Sequence, residues 1–323
     1  MSFGLYEEIA NRSPELGFPV CGAVDLEVSA DVYAEHFLRF ERWLAAGRHG
    51  EMGYLDRGKD RRKDPRIVYP EVKSIVCVLR PYCRQPVGEL DRDVGVRYAR
   101  YLKGGDYHSS MTSDLNKLLQ DVRAIPGNEG LKWKVCVDTS AVLERSWAAL
   151  CGLGWIGKNT LLIHPKLGSY TFIGVAFLNQ VVGRAPRFQP NLCGHCTKCV
   201  TSCPTGAFSE PGELDARRCI SYLTLEKKND FTAEESQRVS SSSFVAGCDI
   251  CQEVCPFNLK PSREEEVADS SLVGATDVAD WTRLLDEVPD SYRLRVKESS
   301  LGRVKAPQFR RNLEVLHSAK RKP

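Results

Sequence analysis

The chain has 323 residues, of which 42% are hydrophobic and 27% charged, a balance that indicates a globular protein with an apolar core and excludes a disordered chain. Its longest apolar stretch, residues 170–183, is interrupted by Asn179 and Gln180 and is too short to cross a bilayer. The net charge of +3 is unevenly spread, because residues 292–323 carry ten Lys or Arg and only two Glu, which points to an acidic polymer as partner.

The first 125 residues predict helices around one buried strand. EHFLRFERWLAAG, residues 35–47, places four large apolar side chains on one helical face, and Gly47 ends that helix. SIVCVL, residues 74–79, is a continuous β-branched apolar run, typical of a buried strand. A helix capped by Ser113 should follow, with Leu115, Leu118, Leu119 and Val122 on its inner face.

WKVCVD, residues 133–138, predicts the next strand, which ends on the carboxylate of Asp138. The following helix is expected to begin near Ser140 and to turn Leu143, Trp147 and Leu150 inward. Asp138 could then stabilise the dipole of that helix or act as a general acid at the end of a strand. Further strands are predicted at 160–163 and 169–178, so residues 70–180 favour an α/β or α+β domain.

GLGWIG, residues 152–157, matches the dinucleotide-binding pattern G-x-G-x-x-G. That pattern needs a strand before it, a helix after it and an acid about twenty residues on, whereas a predicted helix precedes it here. The glycines are better explained by close approach of the backbone to a bulky ligand. Elsewhere, His195 is interpreted as a spacer residue, and His108 as either a surface histidine or a pocket residue.

Two cysteine runs dominate the second half of the chain. CGHCTKCVTSCP places Cys193, Cys196, Cys199 and Cys203 at the spacing C-x2-C-x2-C-x3-C-P, in which three thiolates hold one [4Fe–4S] cluster and the fourth reaches a second cluster. CDICQEVCP adds Cys248, Cys251 and Cys255.

By the same logic, the first cluster is held by Cys193, Cys196, Cys199 and Cys255. The second is held by Cys203, Cys248 and Cys251, with the nearest spare thiol, Cys219, as the fourth ligand. A pair of zinc sites is the competing interpretation, but it explains neither the Cys-Pro endings nor the crossed pattern. The other five of the thirteen cysteines are predicted to be free thiols in apolar surroundings: Cys21, Cys77, Cys83, Cys136 and Cys151.

VDTSAVLERSWAALCGLGWIGKNTLLI, GSYTFIGVAFLN, CGHCTKCVTSCPTGAF and CISYLTLE together resemble the epoxyqueuosine reductases, over residues 15–317. The resemblance implies a cobalamin-dependent enzyme with two [4Fe–4S] clusters that reduces epoxyqueuosine to queuosine at the wobble position of tRNA anticodons. It also implies a base-off corrinoid in a nitroreductase-like domain, with Asp138 as proton donor. The segments matching the cobalamin site contain Asp138, Lys158, Asn159, Ser169, Ile220, Ser221, Tyr101 and Tyr107.

The resulting expectation is an α+β or α/β protein with three parts. Residues 1–185 form the cobalamin-binding catalytic domain, 186–262 a bacterial-ferredoxin-like domain, and 263–323 a linker and a basic helical tail. In that tail Arg303, Lys305, Arg310 and Arg311 are expected to contact tRNA phosphates. A flavodoxin or ferredoxin would supply electrons to a cytoplasmic monomer. The alternatives are a reductive-dehalogenase-type enzyme and a non-catalytic electron-transfer module.

Overall fold

The computed structural model describes residues 4–82, 96–102, 104–259 and 281–320. The strands are β1 (Val20–Asp25), β2 (Ser74–Pro81), β3 (Arg97–Tyr98), β4 (Trp133–Cys136), β5 (Trp155–Ile156), β6 (Leu162–Ile163), β7 (Thr171–Leu178), β8 (Phe208–Glu210), β9 (Glu213–Leu214) and β10 (Phe244–Ala246). The helices are α1 (Leu5–Arg12), α2 (Leu26–Ala45), α3 (Tyr54–Arg57), α4 (Lys59–Lys63), α5 (Tyr107–Arg123), α6 (Glu144–Leu150), α7 (Lys198–Thr201), α8 (Ile220–Leu225), α9 (Ala233–Ser240), α10 (Ile250–Glu253), α11 (Trp281–Asp286), α12 (Pro289–Val296) and α13 (Ala306–Lys320). None of these helices combines the length and the apolar composition that a bilayer crossing requires.

The chain divides into two compact units whose segments interleave along the sequence. The first contains the described residues of Met1–Ala46, Tyr54–Pro81 and His108–Gly194, and the second those of Gly47–Gly53, Tyr82–Tyr107 and His195–Pro323. The contiguous domain boundaries expected at residues 185 and 262 remain a prediction. Interleaving of this kind leaves no mark in the composition or the hydrophobic pattern of the sequence.

The first unit is built on an antiparallel sheet in the order β1-β2-β7-β4. Cys77 of β2 lies opposite Gly22 of β1 on one side and Val175 of β7 on the other. β2 is central and its residues 74–79 are buried, which confirms the strand predicted from its unbroken apolar run. All three pairings in this sheet are antiparallel, so the fold is α+β rather than α/β.

Helices cover the sheet with the apolar faces that their sequences predict. Tyr33 of α2 stacks on Trp147 of α6, with ring centroids 3.9 Å apart and the planes inclined by 13°. The four apolar residues predicted for the inner face of α5 are all fully buried: Leu115, Leu118, Leu119 and Val122. Ser113 does not cap that helix, since α5 already begins at Tyr107. Cys77, Cys136 and Cys151 are buried free thiols and Cys21 is half-buried, while Cys83 lies outside the described residues.

The second unit joins distant segments of the chain. β3 pairs in parallel with β10, with Arg97 opposite Phe244 and Tyr98 opposite Ala246. α13 packs against α9 and β10, and its fully buried Asn312 donates to the carbonyl oxygens of Thr224 and Val245, each at 2.9 Å. These bonds satisfy buried backbone groups that would otherwise destabilise the unit.

Candidate active site and cluster-binding cysteines

Asp138 lies in a tight loop between β4 and α6 in the first unit. β4 ends at Cys136 and α6 begins at Glu144, so the helix starts four residues later than its pattern predicts. Two short contacts fold the loop: the amide of Thr139 donates to the carbonyl of Val137 at 2.6 Å, and that of Val142 to Ser140 at 2.9 Å. Asp138 is therefore not in the first turn of α6, and the helix-dipole interpretation of this carboxylate is wrong.

The backbone of Asp138 has φ of 54°, a left-handed conformation that disfavours residues with a side chain and is concentrated at functional sites. Its carboxylate meets His108, with Nε2 3.1 Å from Oδ2. His108 lies near the start of α5 and its side chain is 21% exposed, against 45% for Asp138. The structure thus places His108 beside the predicted proton donor, in favour of the pocket interpretation.

Glu144, at the first position of α6, is a residue that the sequence analysis did not select. Its Oε1 accepts a hydrogen bond from the backbone N–H of Asp138 at 2.5 Å. Burial raises the pKa of Glu144 to about 8, and the negative charge of Asp138 adds to that rise. Its carboxyl group is consequently neutral through most of the pH range below 8. The only signal in the sequence was an acid six residues after Asp138.

This raised pKa predicts a stability that depends on pH. The ordinary pKa of the side chain is 4.5, so between that value and about 8 the folded protein holds a proton that the unfolded chain releases. We expect stability to fall as pH rises through this window. The unfolding midpoint of the reconstituted protein, measured anaerobically at pH 5.5 and 7.5, should drop more for wild type than for Glu144→Gln. Equal drops would contradict the prediction.

The glycine-rich segment at 152–157 leads into a two-stranded hairpin. Trp155 of β5 pairs with Ile163 of β6, and Ile156 with Leu162, so no helix follows the glycines as a dinucleotide fingerprint requires. Gly154 permits the backbone to approach closely, since a Cβ there would lie 2.2 Å from the carbonyl oxygen of Ile163. The predicted strand at 160–163 is confirmed only for Leu162 and Ile163.

The structure gives distinct surroundings to the predicted cobalamin contacts of the first unit. Lys158 Nζ donates to the carbonyl of Gly194 at 2.6 Å. Asn159 is 3% exposed and accepts the amide of Leu161 at 3.3 Å, while its buried Nδ2 has no hydrogen-bond partner among the described residues. Ser169 is 6% exposed. A buried amide donor without a partner is costly, and a polar group of a bound cofactor would satisfy it.

The other predicted cobalamin contacts belong to the second unit. Ile220, at the start of α8, is 2% exposed, and Ser221 beside it is half-buried. Tyr101 and Tyr107 meet edge to face with centroids 6.4 Å apart, and Tyr82 makes a similar contact with Tyr101. These contacts make an aromatic group within the unit from Tyr82, Tyr101 and Tyr107.

Several cysteines of the second unit lie within electrostatic reach of Cys248 and Cys251. Burial raises the pKa of Cys248, and the neighbouring Cys219 and Cys203 raise it further. Burial likewise raises the pKa of Cys251, with added contributions from Cys248, Cys219, Asp249 and Cys199. Cys203, Cys219, Cys248 and Cys251 are the ligands predicted for the second cluster, and Cys199 is predicted for the first.

Backbone N–H groups point at two of these sulfur atoms. The amides of Ser221 and Tyr222 bond the Cys219 thiol and partly offset the rise in pKa that burial causes. The amide of Ala207 donates to Cys203 Sγ at 3.4 Å. Such bonds tune iron–sulfur clusters, so the donor set fits that cofactor. No three His, Cys, Asp or Glu side chains in the described ranges are placed to hold a single metal ion.

The side chain of Cys193 is placed by the hairpin of the first unit. The indole Nε1 of Trp155 donates to Cys193 Sγ at 3.4 Å, and Lys158 binds the next residue, Gly194. The segment around the first cysteine run is acid-free, with no Asp or Glu between Arg145 and Ser209.

The basic residues of the tail differ in their surroundings. Arg311 lies over the ring of Phe231 at 3.7 Å and donates to the carbonyls of Leu223, Lys227 and Asn229, so it stabilises the second unit. Arg303 pairs with Glu226, and Arg310 pairs with Glu314 at 3.1 Å on the exposed face of α13. Lys305 is exposed. The exposed positions suited to an outside partner are therefore Arg303, Lys305 and Arg310.

Family models match two segments of the chain. Residues 62–139 match the family described as epoxyqueuosine reductase QueG, DUF1730, and this segment includes both His108 and Asp138. Residues 192–258 match the 4Fe-4S double cluster binding domain, which contains all eight predicted cluster cysteines. The double-cluster match supports two iron–sulfur clusters over two zinc sites.

Relatives match nearly the whole chain. The epoxyqueuosine reductase of Leadbetterella byssophila is 34% identical over 309 residues, covering 95% of this chain and 96% of the relative. That of Gloeobacter violaceus is 36% identical over 308 residues, covering 94% and 93%. Among solved structures, the epoxyqueuosine reductase of Streptococcus thermophilus superposes with a TM-score of 0.79 at 23% identity, covering 97% of this chain and 81% of that one.

A further solved structure contains an epoxyqueuosine reductase with an epoxyqueuosine-modified tRNA-Tyr stem loop. It has a TM-score of 0.78 at 24% identity and covers 98% of this chain and 81% of that one. At these identities the solved structures establish a shared fold.

Proposed function

Since the chain belongs to the epoxyqueuosine reductase family, we propose that it reduces epoxyqueuosine to queuosine at the wobble position of tRNA anticodons. The observation that carries the proposal is the 34–36% identity to epoxyqueuosine reductases over almost the full chain. The loop that presents Asp138 to His108 supplies the proton chemistry that this reaction needs. The reaction consumes two electrons and two protons, and it converts the epoxide to an alkene and water.

Two [4Fe–4S] clusters would bring the electrons. Cys193, Cys196, Cys199 and Cys255 are proposed to hold the first, and Cys203, Cys219, Cys248 and Cys251 the second. The electrostatic contacts of Cys219 with Cys203, Cys248 and Cys251 support Cys219 as a ligand of the second cluster. A flavodoxin or ferredoxin is proposed as the reductant, and the enzyme is proposed to work as a cytoplasmic monomer.

Cobalamin is the cofactor proposed for the first unit, in a nitroreductase-like arrangement. The unpartnered amide of Asn159 fits a polar group of a ligand beside the hairpin. Lys158 and Ser169 complete this side, and Ile220, Ser221, Tyr101 and Tyr107 are proposed as further contacts. When bound, reduced cobalamin supplies the strong reductant that epoxide opening requires.

Asp138 is proposed to protonate the epoxide oxygen as its C–O bond breaks. For this the carboxyl must carry a proton at the start of each turnover, and His108, 3.1 Å from Oδ2, is placed to return one afterwards. The loop that carries Asp138 must also be able to move. A Bacillus subtilis epoxyqueuosine reductase structure is described with its catalytic loop swung out of the active site.

The experiment that tests this function is direct conversion. The anaerobically reconstituted protein, given cobalamin, a reductant and epoxyqueuosine-containing tRNA, should convert the modified nucleoside, as measured by mass spectrometry of digested tRNA. A base-off Co(II) spectrum in electron paramagnetic resonance would establish the corrinoid site. An electron-transfer module would bind no corrinoid and convert nothing, and a dehalogenase-type enzyme would turn over an organohalide instead.

The exposed tail residues give a prediction for tRNA binding. Arg310→Glu should weaken the affinity for the tRNA about 3- to 10-fold at low salt and reduce the slope of log affinity against log salt by about 1, since one phosphate contact is lost. Arg311 is unsuitable for this test because its guanidinium holds three internal carbonyls. Binding is measured by anisotropy of a labelled anticodon stem-loop across a salt series.

Lys117→Glu is the matched control. Lys117 is also exposed and pairs four residues on, with Asp121 at 2.8 Å, but it lies on α5. It should leave affinity and salt slope unchanged. Identical salt curves for Arg310→Glu and wild type would exclude Arg310 as a phosphate contact.

A further inference from the structure

We infer that Glu144 is the positioning residue of the active site: its carboxyl group holds the backbone of Asp138 and thereby fixes where the proton donor points. This inference rests on the proposed role of Asp138. It assigns a separate role to a residue that touches the loop rather than the substrate.

The contact runs from a helix to the strained point of the loop. Glu144 is fixed at the first position of α6, two turns of which pack Trp147 and Leu150 into the core of the first unit. Its Oε1 takes the N–H of Asp138 at 2.5 Å, the residue whose φ of 54° puts it in the left-handed region. A left-handed residue with a side chain persists only where its surroundings impose that conformation, and this bond is part of those surroundings.

Arg145, the next residue of α6, makes a similar contact to a second loop. Arg145 Nη1 donates to the carbonyl of Thr160 at 2.5 Å, and Thr160 is the other non-glycine residue of left-handed backbone, with φ of 66°. Consecutive side chains at the start of α6 thus bind the two strained backbone positions of the described chain. One precedes α6 and carries the proton donor, and the other follows Asn159 in the glycine-rich turn.

The surroundings of Glu144 favour the neutral form of its carboxyl group. We call the contact of this group with the N–H of Asp138 the clamp. The charged groups that act on Glu144 are Asp138, Arg145 and His108. Burial opposes ionisation of Glu144, and so does the charge of Asp138 whenever that residue is ionised. The carboxyl of Glu144 therefore places no negative charge beside the proton donor at neutral pH. A neutral carboxyl still accepts the amide through its carbonyl oxygen, and so can a glutamine.

The test compares Glu144→Gln, which keeps the acceptor, with Glu144→Leu, which removes it. In Glu144→Leu we expect kcat for epoxyqueuosine tRNA to fall about 10- to 100-fold with KM changed less than about 2-fold, since misplacement of about 1 Å suffices for such a loss. Glu144→Gln should recover at least about a third of the wild-type kcat. Val142→Ala, a half-buried apolar change in the same loop, controls for general loosening and should keep kcat within about 2-fold.

Hydrogen exchange of the loop gives a second readout that does not depend on activity. Measured by mass spectrometry on a peptide containing Asp138, protection should fall at least about 10-fold in Glu144→Leu and be retained in Glu144→Gln. Unchanged exchange in Glu144→Leu, or equal loss of kcat in the Leu and Gln variants, would overturn the inference. If Asp138→Asn stays active while the exchange result holds, the clamp stands and the proposed role of Asp138 fails.

Discussion

Asp138→Asn should reduce the rate of epoxyqueuosine reduction about 10²- to 10⁴-fold, the range that general acid catalysis contributes. Asparagine keeps the shape of the side chain and can still bond His108, which lies 3.1 Å from Oδ2. Its amide, however, gives up no proton at neutral pH. The backbone N–H that Glu144 holds is unchanged, so the loop should keep its conformation.

The measurement is single-turnover conversion followed by nucleoside mass spectrometry, with cobalamin and iron content determined on the same sample. Both contents should equal those of wild type, which separates loss of the proton donor from loss of cofactors. Asp121→Asn is the matched control, because this acid of α5 is exposed and pairs with Lys117. A rate within threefold of wild type in Asp138→Asn would remove this residue as the general acid.

Cys219→Ser should cost the protein one complete cluster. We expect iron to fall from about eight to about four atoms per chain, and the rate of tRNA reduction to fall with it because the electron path is broken. The spacing of the two cysteine runs leaves this ligand undetermined. In the structure, by contrast, Cys203 and Cys248 both lie within electrostatic reach of Cys219.

Iron and acid-labile sulfide are measured after anaerobic reconstitution, beside Cys136→Ala. Cys136 is a buried thiol of β4 and is assigned to neither cluster, so its removal should leave about eight irons. Cys248→Ser should match Cys219→Ser in iron content if both serve the second cluster. Full iron content in Cys219→Ser together with a loss in Cys248→Ser would transfer the fourth ligand elsewhere.

The sequence predicts best those features that are encoded by adjacent residues. The spacing C-x2-C-x2-C-x3-C-P predicts iron–sulfur ligation from eleven neighbouring residues, Cys193 to Cys203, and the Pro that follows. The family model for a double cluster covers the same residues. The buried strand β2 and the inner face of α5 are also predicted correctly. A strand buried on both faces leaves an unbroken apolar run, and a helix buried on one face leaves apolar residues at helical spacing.

The active-site loop is where pattern reasoning fails. Ser140 looks like a helix start, yet α6 begins at Glu144, because the backbone before it is folded into tight turns by the bonds from Thr139 to Val137 and from Val142 to Ser140. His108 is thirty residues away from Asp138 along the chain, and no local spacing rule joins them. The charge of Arg311 alone predicts a phosphate contact. The sequence gives no sign that its guanidinium binds three backbone carbonyls within the second unit.

The pairing of β3 with β10 joins residues that are far apart in the sequence, which affects folding during translation. Residues 97–98 leave the ribosome long before their partners at 244–246, whereas β2 meets β7 at 171–178. During synthesis, β2 can therefore pair with β7 before the residues of β10, the partner of β3, have been made. Contacts so distant in sequence form slowly, and an unpaired edge is open to wrong association meanwhile. We therefore expect the yield of native protein to depend on the speed of translation between residues 178 and 246.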